Sequence, residues 1–109
     1  MEYQYLFKPL TVNGMEIRNR IFMTGIHLNY CTENKGAPSE KLKNFYYERA
    51  EGGMGLASVG GIKISPESMA GIGCANLEND SYIEPWKEFT DGMRERGCRV
   101  AAQLYHGGR

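Results

Sequence analysis

Three groups of residues carry the chemistry of a ligand-binding rim. Thr24-Gly25-Ile26-His27 sets an imidazole two positions after a glycine, and an imidazole can donate or accept a hydrogen bond and titrates near neutral pH. Gly60-Gly61 removes the side chain from two consecutive positions, which either makes a turn or lets another group approach the backbone. Gln103-Leu104-Tyr105-His106-Gly107-Gly108-Arg109 gathers a carboxamide, a phenol, an imidazole and a guanidinium. A carboxamide offers a donor and an acceptor together, which suits a ligand edge that presents both. Each group also has a plainer reading. His27 could satisfy loop carbonyls, Gln103 could be an interior hydrogen bonder, and Arg109 could pair with a charge elsewhere in a larger protein. Tyr46, Tyr47 and Trp86 read as packing residues. Cys31, Cys74 and Cys98 read as inert thiols, with neither disulfide nor metal-site spacing.

The elements around these groups explain why they matter jointly. Leu10 to Ile17 reads as a β-hairpin turning on Asn13-Gly14, the favoured pair for a type I′ turn. Ile21-Phe22-Met23, Leu56-Ala57-Ser58-Val59 and Val100-Ala101-Ala102-Gln103-Leu104 are short, largely apolar runs that read as buried strands. Between the first two, Ser39 is an N-cap for a helix whose face is Leu42, Phe45, Tyr46, Arg49 and Ala50, closed by Gly52-Gly53. Between the last two, Ile83 to Arg96 is a helix with a stripe of Trp86, Phe89, Thr90 and Met93, capped by Gly97. The order hairpin, β, α, β, α, β predicts parallel, adjacent strands with right-handed crossovers and both helices on one face. Two architectures share that start: a doubly wound sheet and a (β/α)8 barrel. No G-x-G-x-x-G follows the first strand, which disfavours the dinucleotide-binding sheet. In either, ligands sit at the C-terminal ends of the strands, where all three groups fall.

Composition bounds the class. The chain has 109 residues with 41% hydrophobic and 24% charged residues, the balance of a globular protein. Lys plus Arg and Asp plus Glu each number 13, so there is no electrostatic case for nucleic acid or an anionic membrane. No apolar run is long enough to span a bilayer, and the first residues lack a leader pattern. The expectation is a cytoplasmic protein.

Five segments in order carry a resemblance. They are Leu6-Phe7-Lys8-Pro9-Leu10, Arg18-Asn19-Arg20-Ile21, Tyr47 to Leu56, Ile64-Ser65-Pro66 and Ala102 to Arg109. Together they resemble the N-terminal part of the NADH:flavin oxidoreductase/old yellow enzyme family. Gly25 to His27 and Val59-Gly60-Gly61-Ile62 look most similar to its 2,4-dienoyl-CoA reductase and 2-enoate reductase branch. The resemblance implies that residues 1–109 are the N-terminal portion of an FMN-binding (β/α)8 TIM barrel: an N-terminal β-hairpin and the first three βα strands, with the barrel incomplete. Such barrels take ~250 residues. It also implies FMN contacts for Gly25, Ile26, His27, Gly61 and Gln103. There Gln103 pairs with the pyrimidine edge of the flavin, Gly61 allows close approach to the ring, and Tyr105 lies on the substrate side. The family often has Thr or Cys near His27, and this chain departs from that.

The activity so implied is an ene-reductase: hydride passes from NAD(P)H by way of FMN to an α,β-unsaturated carbonyl compound. The FMN-phosphate site, the carbonyl grip and the proton donor belong to later strands, and the catalytic residues stay unassigned. The 4Fe-4S centre and FAD region of the dienoyl-CoA reductase branch belong to later sequence as well. Expected partners are small molecules, with no nucleic acid, membrane or metal. These 109 residues alone are expected to be inactive. Two other readings remain: a non-catalytic βαβ module binding through its open strand edge, and a different barrel enzyme, an aldolase or metal-dependent hydrolase. Against the aldolase, no Lys ends a predicted strand, although Lys63 lies just beyond the second; against the hydrolase, no His/Asp cluster has ligand spacing.

Overall fold

Asn13 and Gly14 both adopt positive φ, 45° and 82°, as the hairpin turn between β1 (Leu10–Val12) and β2 (Met15–Ile17) requires. The computed structural model describes residues 2–68 and 71–108. β1 and β2 pair antiparallel, with Val12 opposite Met15, in a separate two-stranded sheet. β3 (Phe22–Met23), β4 (Leu56–Lys63) and β5 (Arg99–Tyr105) form a second sheet, parallel throughout and in the order β3-β4-β5. The strand order and direction expected from the βαβαβ pattern are those observed.

The helices α1 (Glu40–Glu51) and α2 (Ile83–Glu95) lie on one face of this sheet and share one core. Ser39 caps α1, its Oγ accepting the Leu42 N–H at 3.1 Å while its own hydroxyl donates to the Tyr30 carbonyl. Leu42, Tyr46 and Ala50 from α1 meet Trp86, Phe89 and Met93 from α2 over Ala57, Val59 and Ile62 of β4. Tyr46 and Trp86 both meet Phe89 edge-on, with ring centroids 5.7 and 5.5 Å away. Arg49 is not on the buried face. It is exposed, stacks its guanidinium 3.5 Å from the Phe45 ring centroid and donates to the Phe45 carbonyl. A charge cannot enter this core without a partner, so the stripe narrows by one position. Thr90 is only half-buried for its part. Helix α2 ends on Arg96, and Gly97 follows with φ 75°, the left-handed residue after the cap.

The Arg18-Asn19 pair ties the hairpin to the N-terminal edge of the sheet. Arg18 donates to the carbonyls of Ala50 and Met54, at 2.5 and 2.7 Å, and so satisfies the C-terminal end of α1. Asn19 donates to Gly53 O at 2.6 Å, and a Cβ at Gly55 would fall 2.5 Å from Asn19 Oδ1. Gly55 therefore has to be small for this clamp to close, and the clamp sets where β3 lies beside β4.

β4 is longer than the apolar run predicts. It continues through Gly60 and Gly61 to Lys63, with a register shift against β5 between Gly60 and Ile62. Two adjacent glycines read as a turn, but here β5 supplies their pairing and they stay in the strand. Lys63 consequently closes β4 rather than lying beyond it. Its Nζ is paired with Glu78 at 3.0 Å and is committed to that ion pair.

Candidate active site

The helices cover one face of the sheet and leave the other open. Val100 packs into the core, so strand alternation turns Ala101, Gln103 and Tyr105 to the open face. All three are exposed. Gln103 is paired across the sheet with Gly60, and Tyr105 with Lys63.

The Gln103 carboxamide lies across two glycines. A Cβ built on Gly25 would collide with Gln103 Oε1 and fall 2.9 Å from Gln103 Cδ. A Cβ on Gly60 would collide with both Cβ and Oε1 of Gln103. Three strands thus converge on one side chain: Gly25 from the loop after β3, Gly60 from β4, Gln103 from β5. The absence of side chains at Gly25 and Gly60 is what lets the amide pack this close to both.

A second set lies one step nearer the strand ends. The imidazole of His27 meets the Tyr105 ring edge-on, centroids 5.5 Å apart. A Cβ at Gly61 would sit 2.8 Å from Tyr105 Cβ and 3.5 Å from His27 Cε1. The space that Gly61 leaves is filled by the chain's own Tyr105 and His27. Ile26 is 45% exposed beside them, so an apolar surface is available next to the two rings.

Cys74 joins this set, and sequence reading misses it. Its Sγ lies 3.4 Å from His27 Nε2 and 3.2 Å from the carbonyl oxygens of both Gly61 and Ala75. Burial pushes the thiol pKa up, against weaker opposing effects from Lys63, so the group is held as a neutral thiol. The segment around Cys74 is fixed beside the end of β4. Lys63 N–H donates to Ala75 O and Leu77 N–H to Lys63 O, both at 2.8 Å. Trp86 Nε1 donates to Asn76 O at 2.8 Å, and Asn76 donates to the Tyr82 hydroxyl at 3.1 Å. Cys31 and Cys98 are fully buried in the core and free, their pKa values raised by burial, as inert thiols would be.

The structure therefore brings Gly25, Ile26, His27, Gly61, Gln103 and Tyr105 to one open patch at the C-terminal ends of three parallel strands. His106 continues the chain past β5, its Nδ1 accepting the Gly108 N–H at 3.0 Å. Arg109, the remaining candidate, lies outside the described residues. Among the described residues, no helix is long and apolar enough to cross a membrane.

Residues 5–109 match the NADH:flavin oxidoreductase / NADH oxidase family. The chain is 39% identical over 104 residues to a metal reductase of Desulforamulus reducens, a match covering 95% of this chain and 15% of that protein. It is 29% identical to an NADPH dehydrogenase of Bacillus subtilis, covering 95% of this chain and 31% of that one. Among solved structures it superposes on the old yellow enzyme homologue of Zymomonas mobilis with a TM-score of 0.84 at 28% identity, over 96% of this chain and 29% of that one. Morphinone reductase in complex with tetrahydroNAD gives the same TM-score at 26% identity, over 96% of this chain and 28% of that one. The chain thus spans less than a third of the length of each of these proteins. Its three parallel strands and two crossover helices are an unclosed α/β portion of the TIM barrel of old yellow enzymes. The chain belongs to the NADH:flavin oxidoreductase / NADH oxidase family.

Proposed function

We propose that this chain supplies one wall of an FMN site in a larger ene-reductase. The observation that carries the reading is the Gln103 carboxamide packed directly against Gly25 and Gly60 at the open strand ends. A donor–acceptor pair set against two glycines fits the edge of a planar heterocycle that presents an N–H next to a carbonyl. The three side chains that reach the same patch, Ile26, His27 and Tyr105, fit the rest of a ring system: an apolar contact, an imidazole and an aromatic edge.

In this reading Gln103 fixes the in-plane orientation of the flavin. Gly25 and Gly60, having no side chains, leave the amide room to hold the position from which it meets the ring edge. Gly61 admits Tyr105 and His27 to the margin, with Tyr105 toward the substrate. FMN, when bound, supplies hydride exchange between NAD(P)H and the activated C=C bond of an α,β-unsaturated carbonyl compound. The chain's residues orient that chemistry and exclude water from one side of it. The phosphate anchor, the proton donor and, in the dienoyl-CoA reductase branch, the 4Fe-4S and FAD sites fall in later sequence, so residues 1–109 alone are inactive.

The test is to purify the full-length protein, measure its FMN content, and follow NAD(P)H-dependent reduction of a small enone. Stoichiometric FMN and turnover are expected. A protein that binds no flavin overturns the reading. Flavin binding with NAD(P)H oxidation but no reduction of any α,β-unsaturated carbonyl compound removes the ene-reductase assignment and keeps the flavin site.

A further inference from the structure

The His27–Cys74 contact joins a side chain of the candidate site to one that no part of the reading above uses. His27 Nε2 and Cys74 Sγ are 3.4 Å apart, yet the residues are 47 positions apart in sequence. Two backbone carbonyls, Gly61 O and Ala75 O, each lie 3.2 Å from the same sulfur. Carbonyl oxygens can only accept, and a thiol has one proton. Ala75 O already receives the Lys63 N–H at 2.8 Å. That oxygen keeps a second lone pair, so the thiol proton can go to either carbonyl, and with the proton there the sulfur is left to His27 as an acceptor. Nε2 must then carry the imidazole proton, and Nδ1 the lone pair.

We infer that Cys74 is a positioning residue: its thiol, anchored on the Gly61 and Ala75 carbonyls, holds His27 as the Nε2–H tautomer with the ring edge-on to Tyr105, leaving Nδ1 as an acceptor at the strand-end patch. Three structural features support this. The sulfur is buried and its segment is pinned to β4 and to Trp86, so it cannot follow a wandering imidazole. Burial raises the thiol pKa, which disfavours a thiolate at Cys74. His27 itself is exposed, and Cys74 makes its side-chain hydrogen-bond contact while Tyr105 meets its ring edge-on. A ligand at the patch would then meet a fixed acceptor, where an unanchored imidazole would present either nitrogen. The bearing of this tautomer on flavin rests on the proposed function; the tautomer itself does not.

The experiment uses full-length protein labelled with 15N-histidine, apo and FMN-loaded. Two-bond 1H–15N correlations are read at about pH 8.5, above the ordinary imidazole pKa and below the raised thiol pKa. A His27→Gln protein assigns the signal. The wild type is expected to show the Nε2–H tautomer alone. Cys74→Ser, whose hydroxyl can accept and donate in the same way, is expected to keep it. Cys74→Val, close in volume but without a polar atom, is expected to lose the single tautomer and give an exchanging mixture; Cys74→Ala provides the same reading if Val does not fold. An Nδ1–H wild type, or an unchanged tautomer in Cys74→Val or Cys74→Ala, overturns the inference. The FMN-loaded protein gives a separate readout: the flavin reduction potential is expected to shift in Cys74→Val and return in Cys74→Ser. If no FMN binds, the proposed function fails while the apo spectra still decide the role of Cys74.

Discussion

Gln103 and Gly60 face each other across β4 and β5 so closely that a Cβ on the glycine would overlap the Cβ of the glutamine. Gly25 meets the same side chain only at its far end, through Oε1 and Cδ. The difference separates two substitutions that look alike. Gly60→Ala sets a methyl against an atom fixed by the backbone of β5, so the strands must shift. A loss of roughly 1–3 kcal/mol of stability is expected, as for other overpacked positions. Gly25→Ala can be relieved by swinging the amide away. It should leave the melting temperature nearly unchanged while weakening FMN binding in the full-length protein, as should Gln103→Ala, by roughly 1–3 kcal/mol for polar atoms left unpaired. Denaturant titration and FMN titration on the three variants check this. A Gly25→Ala protein with unchanged flavin affinity would remove the amide from the site.

Tyr46 is fully buried, and its hydroxyl has no hydrogen-bond partner among the described residues. Burial pushes its pKa up to about 12. The ring is needed, since it meets Phe45 and Phe89 edge-on, but the oxygen is a cost. Tyr46→Phe is expected to raise stability by roughly 1 kcal/mol. Chemical denaturation reads the sign directly, and a destabilised variant would mean that the hydroxyl is satisfied.

The strands and helices were legible because their signals are local. Asn13-Gly14, the Ser39 cap, the spacing of Leu42, Tyr46 and Ala50, and that of Trp86, Phe89 and Met93 each specify structure within one element. The length of β4 was not legible. Gly60-Gly61 reads as a turn until β5 is known to lie beside it. Gly25, His27, Gly60, Gly61 and Gln103 were placed by the rule that ligands bind at strand ends, but what Gly60 does there comes only from the side chain across from it. Cys74 had no signal at all, because its contact with His27 joins two loops and follows no spacing pattern.

Burial raises the Cys31 thiol to about 11 from 9.0. Folding therefore favours the protonated thiol, and the stability this contributes is complete below pH 9. As pH rises from 9 toward 11 the unfolded chain loses its proton while the folded one keeps it, so that stability is lost, roughly 2–3 kcal/mol in all for a shift of this size. Cys31→Ala should lower stability at neutral pH through the cavity, yet show a shallower decline above pH 9 than the wild type. Parallel alkaline limbs for the two proteins would contradict this assignment.

β5 presents Ala101 to Tyr105 all exposed, and Leu104 is 61% exposed on the side that continues the helix-facing surface. Phe22 on β3 is 52% exposed at the other edge of the sheet. Both outer strands of this parallel sheet therefore carry apolar side chains and unpaired backbone groups, and parallel edges are normally covered. Nothing in the hairpin relieves this, because β1 and β2 form a sheet of their own. The 109-residue chain expressed alone is expected to associate through these edges and to unfold over a broad temperature range. Light scattering should rise with concentration, and a charged substitution at Leu104 should reduce the scattering without restoring a sharp transition, since the open face remains. The measurements are size-exclusion chromatography with light scattering, and calorimetry at two concentrations. A monomer with a sharp, concentration-independent calorimetric peak would show that the core between α1, α2 and β4 is sufficient by itself.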